Sequence, residues 1–356
     1  MTTDVIRTVT GDIAPEAMGW TLAHEHLISD LGCYWRPQDD EALAFERLSF
    51  ATLTRVRRSP WANRDNLLLD DLAAAAAELD AFRAAGGGTV IEVTSRGIGR
   101  DPVALQLLSR RTGVHIVAGA GYYVGISHPP GLLRRGVEDV ADEIVRDLTV
   151  GIGDTGIRAG VIGEVGAGTS PMGASERLVL EAAALAQRRT GAAIVAHPAP
   201  GADSLWEVAT VLRDAGARMD KVVMSHVDER LRDDVDAFRR LADLGCRFGF
   251  DTFGREQYFP ARRKQHPSDA ERVAAIVSLT AAGMGDRILL AQDICLKMEL
   301  ESFAGAGYGR IVRETVERLR HEGVAEADVE RMLAGTPAAV FALDGPEAHP
   351  AAGGGA

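Results

Sequence analysis

Short apolar runs alternate with helix-like stretches along this 356-residue chain, and the alternation limits what the chain can fold into. The apolar runs are rich in Val, Ile, Gly and Ala, whereas the stretches between them repeat apolar residues at helical spacing. This pattern is typical of βα units around a parallel sheet. The predicted strands span residues 21–26, 89–94, 115–122, 159–165, 192–197, 222–227, 247–252 and 288–293. The predicted helices span residues 69–85, 137–147, 176–190, 204–215, 234–244, 269–282, 310–321 and 326–334.

Eight strands alternating with helices predict an α/β fold of the (β/α)8 TIM-barrel type, because a doubly wound sheet usually has fewer strands. No Gly-x-Gly-x-x-Gly fingerprint stands at the first strand-to-helix turn, which disfavours a dinucleotide-dependent oxidoreductase. We predict a short N-terminal β-hairpin over residues 1–20, a single barrel domain over residues 21–345 and a flexible tail over residues 346–356.

Residues 27–66 form a segment too long for a plain loop, so we expect an insertion after the first strand. Its large apolar residues Trp35, Phe50 and Trp61 suit either a subunit interface or a lid over the barrel.

The charge balance bears on the partners of the protein. The chain has 39 Lys and Arg against 51 Asp and Glu, a net charge of −12, which disfavours binding to nucleic acid. No run approaches the roughly 20 apolar residues that span a membrane, and residues 1–20 do not resemble a signal peptide. The three scattered cysteines do not suggest a disulfide framework. We therefore expect a cytoplasmic protein with neither nucleic acid nor a membrane as partner.

Ionisable residues stand at the carboxyl ends of five predicted strands, and in a barrel these ends share one mouth. These residues are His24 and His26 on the first strand, Glu164 on the fourth, His197 on the fifth, His226 on the sixth and Asp293 on the eighth. Side chains alternate along a strand, so His24 and His26 point the same way and Glu25 points away. Imidazole and carboxylate are ligands of divalent metal ions, and four histidines with two acids are enough for two ions.

A lone histidine at a strand end is more often a hydrogen-bonded structural residue than a ligand. Six such residues at the ends of five strands favour the metal site. The remaining histidines fit other roles. His115 begins its strand and is expected at the opposite face of the barrel, and His128, His266, His321 and His349 are expected on the surface.

The set of motifs resembles the phosphotriesterase family of the amidohydrolase superfamily, over residues 6–341. The segments that carry the resemblance are TLAHEH at 21–26, GEVG at 163–166, AH at 196–197, SHVD at 225–228, FDTFG at 250–254 and QD at 292–293. The segment GAGYY at 119–123 is similar to the phosphotriesterase homology proteins within that family.

The resemblance implies a binuclear centre. His24, His26 and Asp293 would bind the more buried ion, and His197 and His226 the other. Relatives commonly bridge the two ions with a carboxylated lysine on strand four, but this chain has no lysine there, so Glu164 takes that place. Such ligands suit zinc first, and manganese, cobalt or iron as alternatives. Relatives are often dimers, so a homodimer is one expectation.

Two divalent ions sharing one water lower its pKa from 15.7 to near 7 and supply a bridging hydroxide as nucleophile. Asp293, beside both the metal and the hydroxide, is predicted to accept its proton and pass it to the leaving group. The same chemistry cleaves lactones, esters, amides and phosphotriesters, and the loops after the strands select among them.

Cations and tyrosines in those loops are the candidates for contact with the substrate. They are Arg96, Tyr123, Arg255, Tyr258 and Lys297. Cationic residues around a metal site suit an anionic handle, although Arg96 and Arg100 are equally suited to pairing with neighbouring acids. Tyr122 and Tyr123 point to opposite faces, so one of them is expected to pack away from the pocket.

The sequence therefore predicts a binuclear metal-dependent hydrolase of a small polar or anionic lactone, ester or amide, with phosphotriesters as weak side substrates. The alternative is a catalytically silent metal-binding module of the same fold.

Overall fold

The computed structural model of the protein describes residues 4–260 and 263–343. Eight parallel strands hydrogen-bond in chain order into one sheet. The strands are β1 Trp20–Glu25, β2 Gly87–Glu92, β3 His115–Ala120, β4 Val161–Gly166, β5 Ile194–His197, β6 Val222–Met224, β7 Arg247–Phe250 and β8 Ile288–Leu290. The predicted (β/α)8 barrel is confirmed.

Helices follow the strands and surround the sheet. They are α1 Phe50–Arg58, α2 Leu72–Ala84, α3 Pro102–Thr112, α4 Val137–Thr149, α5 Ala174–Thr190, α6 Ala202–Asp214, α7 Val227–Arg230, α8 Val235–Asp243, α9 Asp269–Ala281, α10 Val316–His321, α11 Glu326–Glu330 and α12 Thr336–Phe341. Residues Ile311–Thr315 and Arg331–Gly335 are π-helical turns that lead into α10 and α12. Among the described residues, no helix is long and apolar enough to cross a membrane.

Local sequence explains where these helices begin and end, as in α3. The Asp101 carboxylate accepts the backbone N–H groups of Val103 at 3.1 Å and Ala104 at 3.0 Å, which caps the first turn. Pro102 occupies the first helical position, where its missing N–H costs nothing. Gly113, with φ of 71°, ends the helix in the left-handed conformation that glycine adopts without strain.

The apolar core lies in two layers on either side of the strands. Along β5, Val195 belongs to a small cluster built mainly of strand residues inside the barrel, whereas Ile194 and Ala196 pack in the large cluster between strands and helices. Residues two apart share a face of a strand. His197 therefore continues the inner face of Val195 toward the mouth of the barrel.

Several strands end earlier than the sequence pattern predicts. The sixth and eighth strands were expected to reach residues 227 and 293, but β6 ends at Met224 and β8 at Leu290. His226 and Asp293 have positive φ values of 58° and 50°, which are incompatible with a continuing strand. Both functional candidates thus lie in the turns just beyond the strands.

The edges of the sheet meet where β8 lies beside β1. The Asp293 backbone N–H donates to the His24 carbonyl at 3.2 Å. The buried Glu25 carboxylate, which points away from the barrel interior, accepts the backbone N–H groups of Gln292 at 2.7 Å and Ile294 at 2.9 Å. Glu25 therefore holds the turn after β8 against β1, and this contact fixes the position of Asp293.

The N-terminal residues form the predicted hairpin, in which Ile6–Thr8 pairs antiparallel with Gly11–Ile13. The insertion after β1 has a small apolar core of its own, and its Leu43, Leu53 and Val56 cluster with Tyr123 and Leu296 from the barrel loops. It therefore packs over the mouth of the barrel. The predicted tail over residues 346–356 and His349 within it lie outside the described residues.

We predict that Glu25→Ala destabilises the protein, because it leaves two buried amides of the β8 turn without an acceptor. The expected loss in the free energy of unfolding is about 2–4 kcal/mol, since an unsatisfied buried donor costs about 1–3 kcal/mol. Urea unfolding of the metal-free protein measures it. The control is Glu16→Ala, which removes an exposed carboxylate and should leave the unfolding midpoint unchanged. Equal midpoints for the two variants would contradict the role of Glu25.

Candidate metal centre and active site

The structure brings all six predicted ligand residues together at the carboxyl end of the barrel. They form two groups whose ligand atoms lie within 4.8 Å of one another: His24, His26 and Asp293 in one, and Glu164, His197 and His226 in the other. His24, Glu164 and His197 lie on β1, β4 and β5, His26 follows β1 directly, and His226 and Asp293 lie in the turns after β6 and β8.

In the first group, Asp293 Oδ1 lies 3.3 Å from His26 Nε2 and 3.6 Å from His24 Nε2. His24 Nε2 is buried and has no hydrogen-bond partner among the described residues. A buried ring nitrogen is costly unless it has a partner. Beside two carboxylates, a divalent cation is the partner that this nitrogen fits, so the residues present suit a metal ion.

In the second group, Glu164 Oε1 lies 2.6 Å from His197 Nδ1 and 3.3 Å from His226 Nε2. The same carboxylate faces the first group, with Oε1 3.5 Å from His24 Nε2 and Oε2 4.0 Å from His26 Nε2. Glu164 thus stands between the two groups, as a bridging ligand would.

One carboxylate supports a histidine of each group. Asp251, which follows β7, accepts from His24 Nδ1 and from His226 Nδ1 at 2.9 Å each, and from the His226 backbone N–H at 2.8 Å. Both rings therefore carry their proton on Nδ1 and present Nε2 to the centre. Burial acts to raise the pKa of Asp251, but attraction to His226 and His24 lowers it below its usual range.

A second chain of hydrogen bonds orients His26. Its Nδ1 donates to Thr94 Oγ1 at 2.9 Å, and the Thr94 hydroxyl donates to Glu92 Oε1 at 2.5 Å. His26 therefore also presents Nε2 to the centre. Sequence reasoning assigned no role to Thr94, Glu92 or Asp251, because a supporting residue shows its function only through its partners. Asp251 was marked only as part of the motif FDTFG at 250–254.

The carboxylates of the centre attract positive charge. Burial alone would lower the pKa of His24, but Glu164, Asp251 and Asp293 outweigh it and raise the pKa to about 9. Burial would raise the pKa of Glu164, yet His197 and His24 hold it well below the usual range. A site that binds protons this strongly also favours divalent cations, for the same electrostatic reason.

The centre opens into a cavity of about 260 Å³. Of the predicted substrate contacts, Tyr123 and Arg255 line this cavity. Tyr122 packs away from it, and its hydroxyl donates to the Glu143 carboxylate at 3.1 Å. The expectation that one of the two tyrosines packs elsewhere agrees with this arrangement.

Arg96, Tyr258 and Lys297 are not among the described residues that line the cavity. Arg96 pairs with Glu143 at 2.8 Å, and Lys297 pairs with Asp65 in the insertion at 2.7 Å. Tyr258 is half exposed in a short antiparallel ladder, opposite Gln265. Each predicted cation has a carboxylate partner from a distant segment, which the sequence pattern did not show.

Arg255 also contacts the candidate metal centre. Its partly buried guanidinium donates to Asp293 Oδ2 at 3.1 Å, to the Asp293 carbonyl at 2.6 Å and to Glu299 Oε1 at 2.9 Å. With these partners, Arg255 holds Asp293 in place. Burial acts to raise the pKa of Asp293, but Arg255 and the neighbouring histidines keep it below its ordinary value.

The prediction for His266 is corrected, because it is buried and lines the cavity rather than the surface. Its Nδ1 lies in close contact with the Glu229 carboxylate. Glu229 also accepts from Lys264 Nζ at 2.5 Å and Arg230 Nη1 at 2.7 Å. Sequence reasoning missed this cluster, because Lys264 and His266 reach Glu229 from a loop that follows β7.

A (β/α)8 barrel with buried histidines and carboxylates at the carboxyl ends of its strands is an arrangement that metal-assisted hydrolases use. The chain belongs to the phosphotriesterase family, whose model matches residues 4–341. The resemblance in the sequence motifs is thereby confirmed.

Three similar proteins illustrate the family. An N-acetyltaurine hydrolase from Tetraodon nigroviridis is 39% identical over 337 residues, which cover 93% of this chain and 96% of the relative. A resiniferatoxin-binding protein from Rhodobacter sphaeroides has a TM-score of 0.90 with 38% identity, over 95% of this chain and 94% of that chain. The phosphotriesterase homology protein from Escherichia coli, solved with phosphate in its active site, has a TM-score of 0.77 with 30% identity, over 91% of this chain and 99% of that chain. The protein is a hydrolase of this family.

We predict that Asp251→Asn weakens metal binding, because an asparagine cannot accept from both His24 Nδ1 and His226 Nδ1. Loss of a partner that orients metal ligands typically costs about 10- to 100-fold in affinity. Metal retained after dialysis against graded chelator measures the change. Asp243→Asn, at the exposed end of α8, is the matched control. Wild-type retention by Asp251→Asn would contradict the supporting role.

Proposed function

We propose that the protein is a binuclear metal-dependent hydrolase of a small polar or anionic amide, ester or lactone. The observation that carries this proposal is the pair of buried ligand groups with Glu164 between them. We assign His24, His26 and Asp293 to one ion, His197 and His226 to the other, and Glu164 to both. Zinc is the first candidate, with manganese, cobalt and iron as alternatives.

Two divalent ions, when bound, supply a water that ionises near neutral pH and an electrophile for the substrate's carbonyl oxygen. The side chains of the protein supply orientation and proton transfer. Asp293 turns Oδ1 toward the histidines and Oδ2 toward Arg255. We assign to Asp293 Oδ2 the acceptance of the proton released by the attacking water and its transfer to the leaving group.

Arg255 prepares Asp293 for this role in two ways. Its positive charge keeps the pKa of Asp293 low, so the carboxylate is ionised and able to accept a proton at neutral pH. Its bonds to the Asp293 carbonyl and Oδ2 fix the orientation of the carboxylate. The ion pair between Arg255 and Glu299 compensates the cost of burying part of the charged guanidinium.

An amide is the first substrate class to test. The similarity to N-acetyltaurine hydrolases extends over nearly the whole chain, and N-acetyltaurine is a small amide with a sulfonate at its far end. Lactones, carboxylic esters and phosphotriesters follow, because the same two-ion chemistry cleaves them.

The test couples metal content per chain, by mass spectrometry of the purified protein, to initial rates on a substrate panel. The panel holds N-acetyltaurine, other N-acyl amino acids, neutral and sugar-phosphate lactones, and aryl phosphotriesters. Two ions per chain with turnover are expected. Two ions with no turnover on any substrate would favour the alternative, a metal-binding module without catalytic activity. The similarity to a protein named for binding resiniferatoxin is the observation that favours this alternative.

We predict that His197→Ala and Asp293→Asn each lower kcat/KM by orders of magnitude, with about 10²- to 10⁴-fold expected from loss of the proton acceptor alone. His321→Ala, at the exposed end of α10, is the control. Circular dichroism should show the same fold in all three. Unchanged turnover in Asp293→Asn would rule out the proposed proton transfer.

We also predict that removal of metal with 1,10-phenanthroline abolishes hydrolysis. Activity should return in proportion to added Zn²⁺ or Mn²⁺, up to two ions per chain. Activity that survives complete removal of metal, checked by mass spectrometry of the same sample, would contradict the proposal.

A further inference from the structure

The cations that line the cavity differ in whether an acid of the protein already neutralises them. Among the described residues, the permanent cations on its wall are Arg36, Arg230, Arg255 and Lys264. Arg255 is held by Asp293 and Glu299, and Arg230 and Lys264 share Glu229. No described carboxylate pairs with Arg36, and its guanidinium makes no side-chain hydrogen bond to the described residues.

The loop that carries Arg36 has a defined position over the cavity. The Arg36 backbone N–H donates to the Trp61 carbonyl at 2.8 Å, and its carbonyl accepts the Asp39 N–H at 3.1 Å. Tyr34 and Trp61 line the same cavity, with ring centroids 5.4 Å apart. Arg36 is therefore an exposed guanidinium anchored through its backbone beside an aromatic wall.

The charge balance of the cavity wall favours an anionic ligand. Glu229 is one carboxylate shared by two permanent cations, so that part of the wall keeps a surplus positive charge. The other two acids that line the cavity, Glu164 and Asp293, belong to the candidate metal groups. A guanidinium offers two parallel N–H donors that match the oxygens of a carboxylate or a sulfonate.

We propose that Arg36 binds the anionic group of the substrate, a carboxylate or a sulfonate at the end away from the scissile bond. This inference rests on the proposed function and adds the residue that selects anionic substrates. Arg36 then acts in substrate binding and takes no part in the bond cleavage.

Three amides of similar size separate charge from bond type. N-acetyltaurine carries a sulfonate, N-acetyl-β-alanine a carboxylate, and N-acetylethanolamine a neutral hydroxyl. For Arg36→Gln we expect KM for the two anions to rise about 10- to 100-fold, the range for loss of a charged hydrogen bond. We expect kcat for the anions, and kcat/KM for the neutral amide, to stay near wild type. The ratio between the two anions tells which one the site prefers.

Two further variants control the result. Arg36→Lys keeps the charge without the planar fork and should recover part of the affinity. Arg58→Gln removes an exposed arginine of the same insertion that does not line the cavity, and should match wild type with all three amides.

Two outcomes would overturn the role of Arg36: an equal loss with all three amides, which indicates a structural effect, or no change in the ratio of anionic to neutral kcat/KM. Wild-type protein that hydrolyses none of them would instead count against the proposed function. In that case, titration calorimetry with N-acetyltaurine still decides, because equal affinity of wild type and Arg36→Gln overturns the assignment.

Discussion

The seam between β1 and β8 is the contact on which the rest of the site depends. It closes the sheet so that His24 and Asp293, which are 269 positions apart in the chain, become neighbours, and the Asp293 N–H donates to the His24 carbonyl at 3.2 Å. Glu25 binds the amides on both sides of Asp293 from behind. The motif at 24–26 therefore has two functions. Its histidines face the candidate metal centre, and Glu25 between them fixes the position of Asp293.

Charge pairing organises the mouth of the barrel around that seam. Three buried acids have partners that keep them ionised: Asp251 has two histidines, Asp293 has Arg255, and Glu229 has Lys264 and Arg230. Burial of a charge is tolerated only when such partners are present. Two groups without a protein partner are of interest: His24 Nε2 in the candidate metal centre, which has no hydrogen-bond partner among the described residues, and the guanidinium of Arg36 on the cavity wall, which no described carboxylate neutralises. We interpret the first as a position for a cation and the second as a position for an anion.

The six residues that the sequence pattern marked as candidate ligands lie together in the structure, because a barrel brings histidines and acids at strand ends to one mouth. The sequence pattern did not reveal the partners of the cations in the loops around the cavity. Arg96 and Lys297 are cations near the ends of strands, yet Glu143 and Asp65 neutralise them. Arg255 lines the cavity but braces Asp293. His266 was expected on the surface and lies buried against Glu229.

The sequence by itself determined the fold class and the chemical nature of the centre, because strand and helix periodicity and the residue types at strand ends are properties of short segments. The tertiary structure alone decided which charges remain unpaired, where the strands stop, and which acid supports two histidines at once. Those features depend on partners from distant parts of the chain, as with Asp251 and His24, which are 227 residues apart. A pairing of that kind arises only when the barrel closes, and it leaves no periodic trace in the sequence.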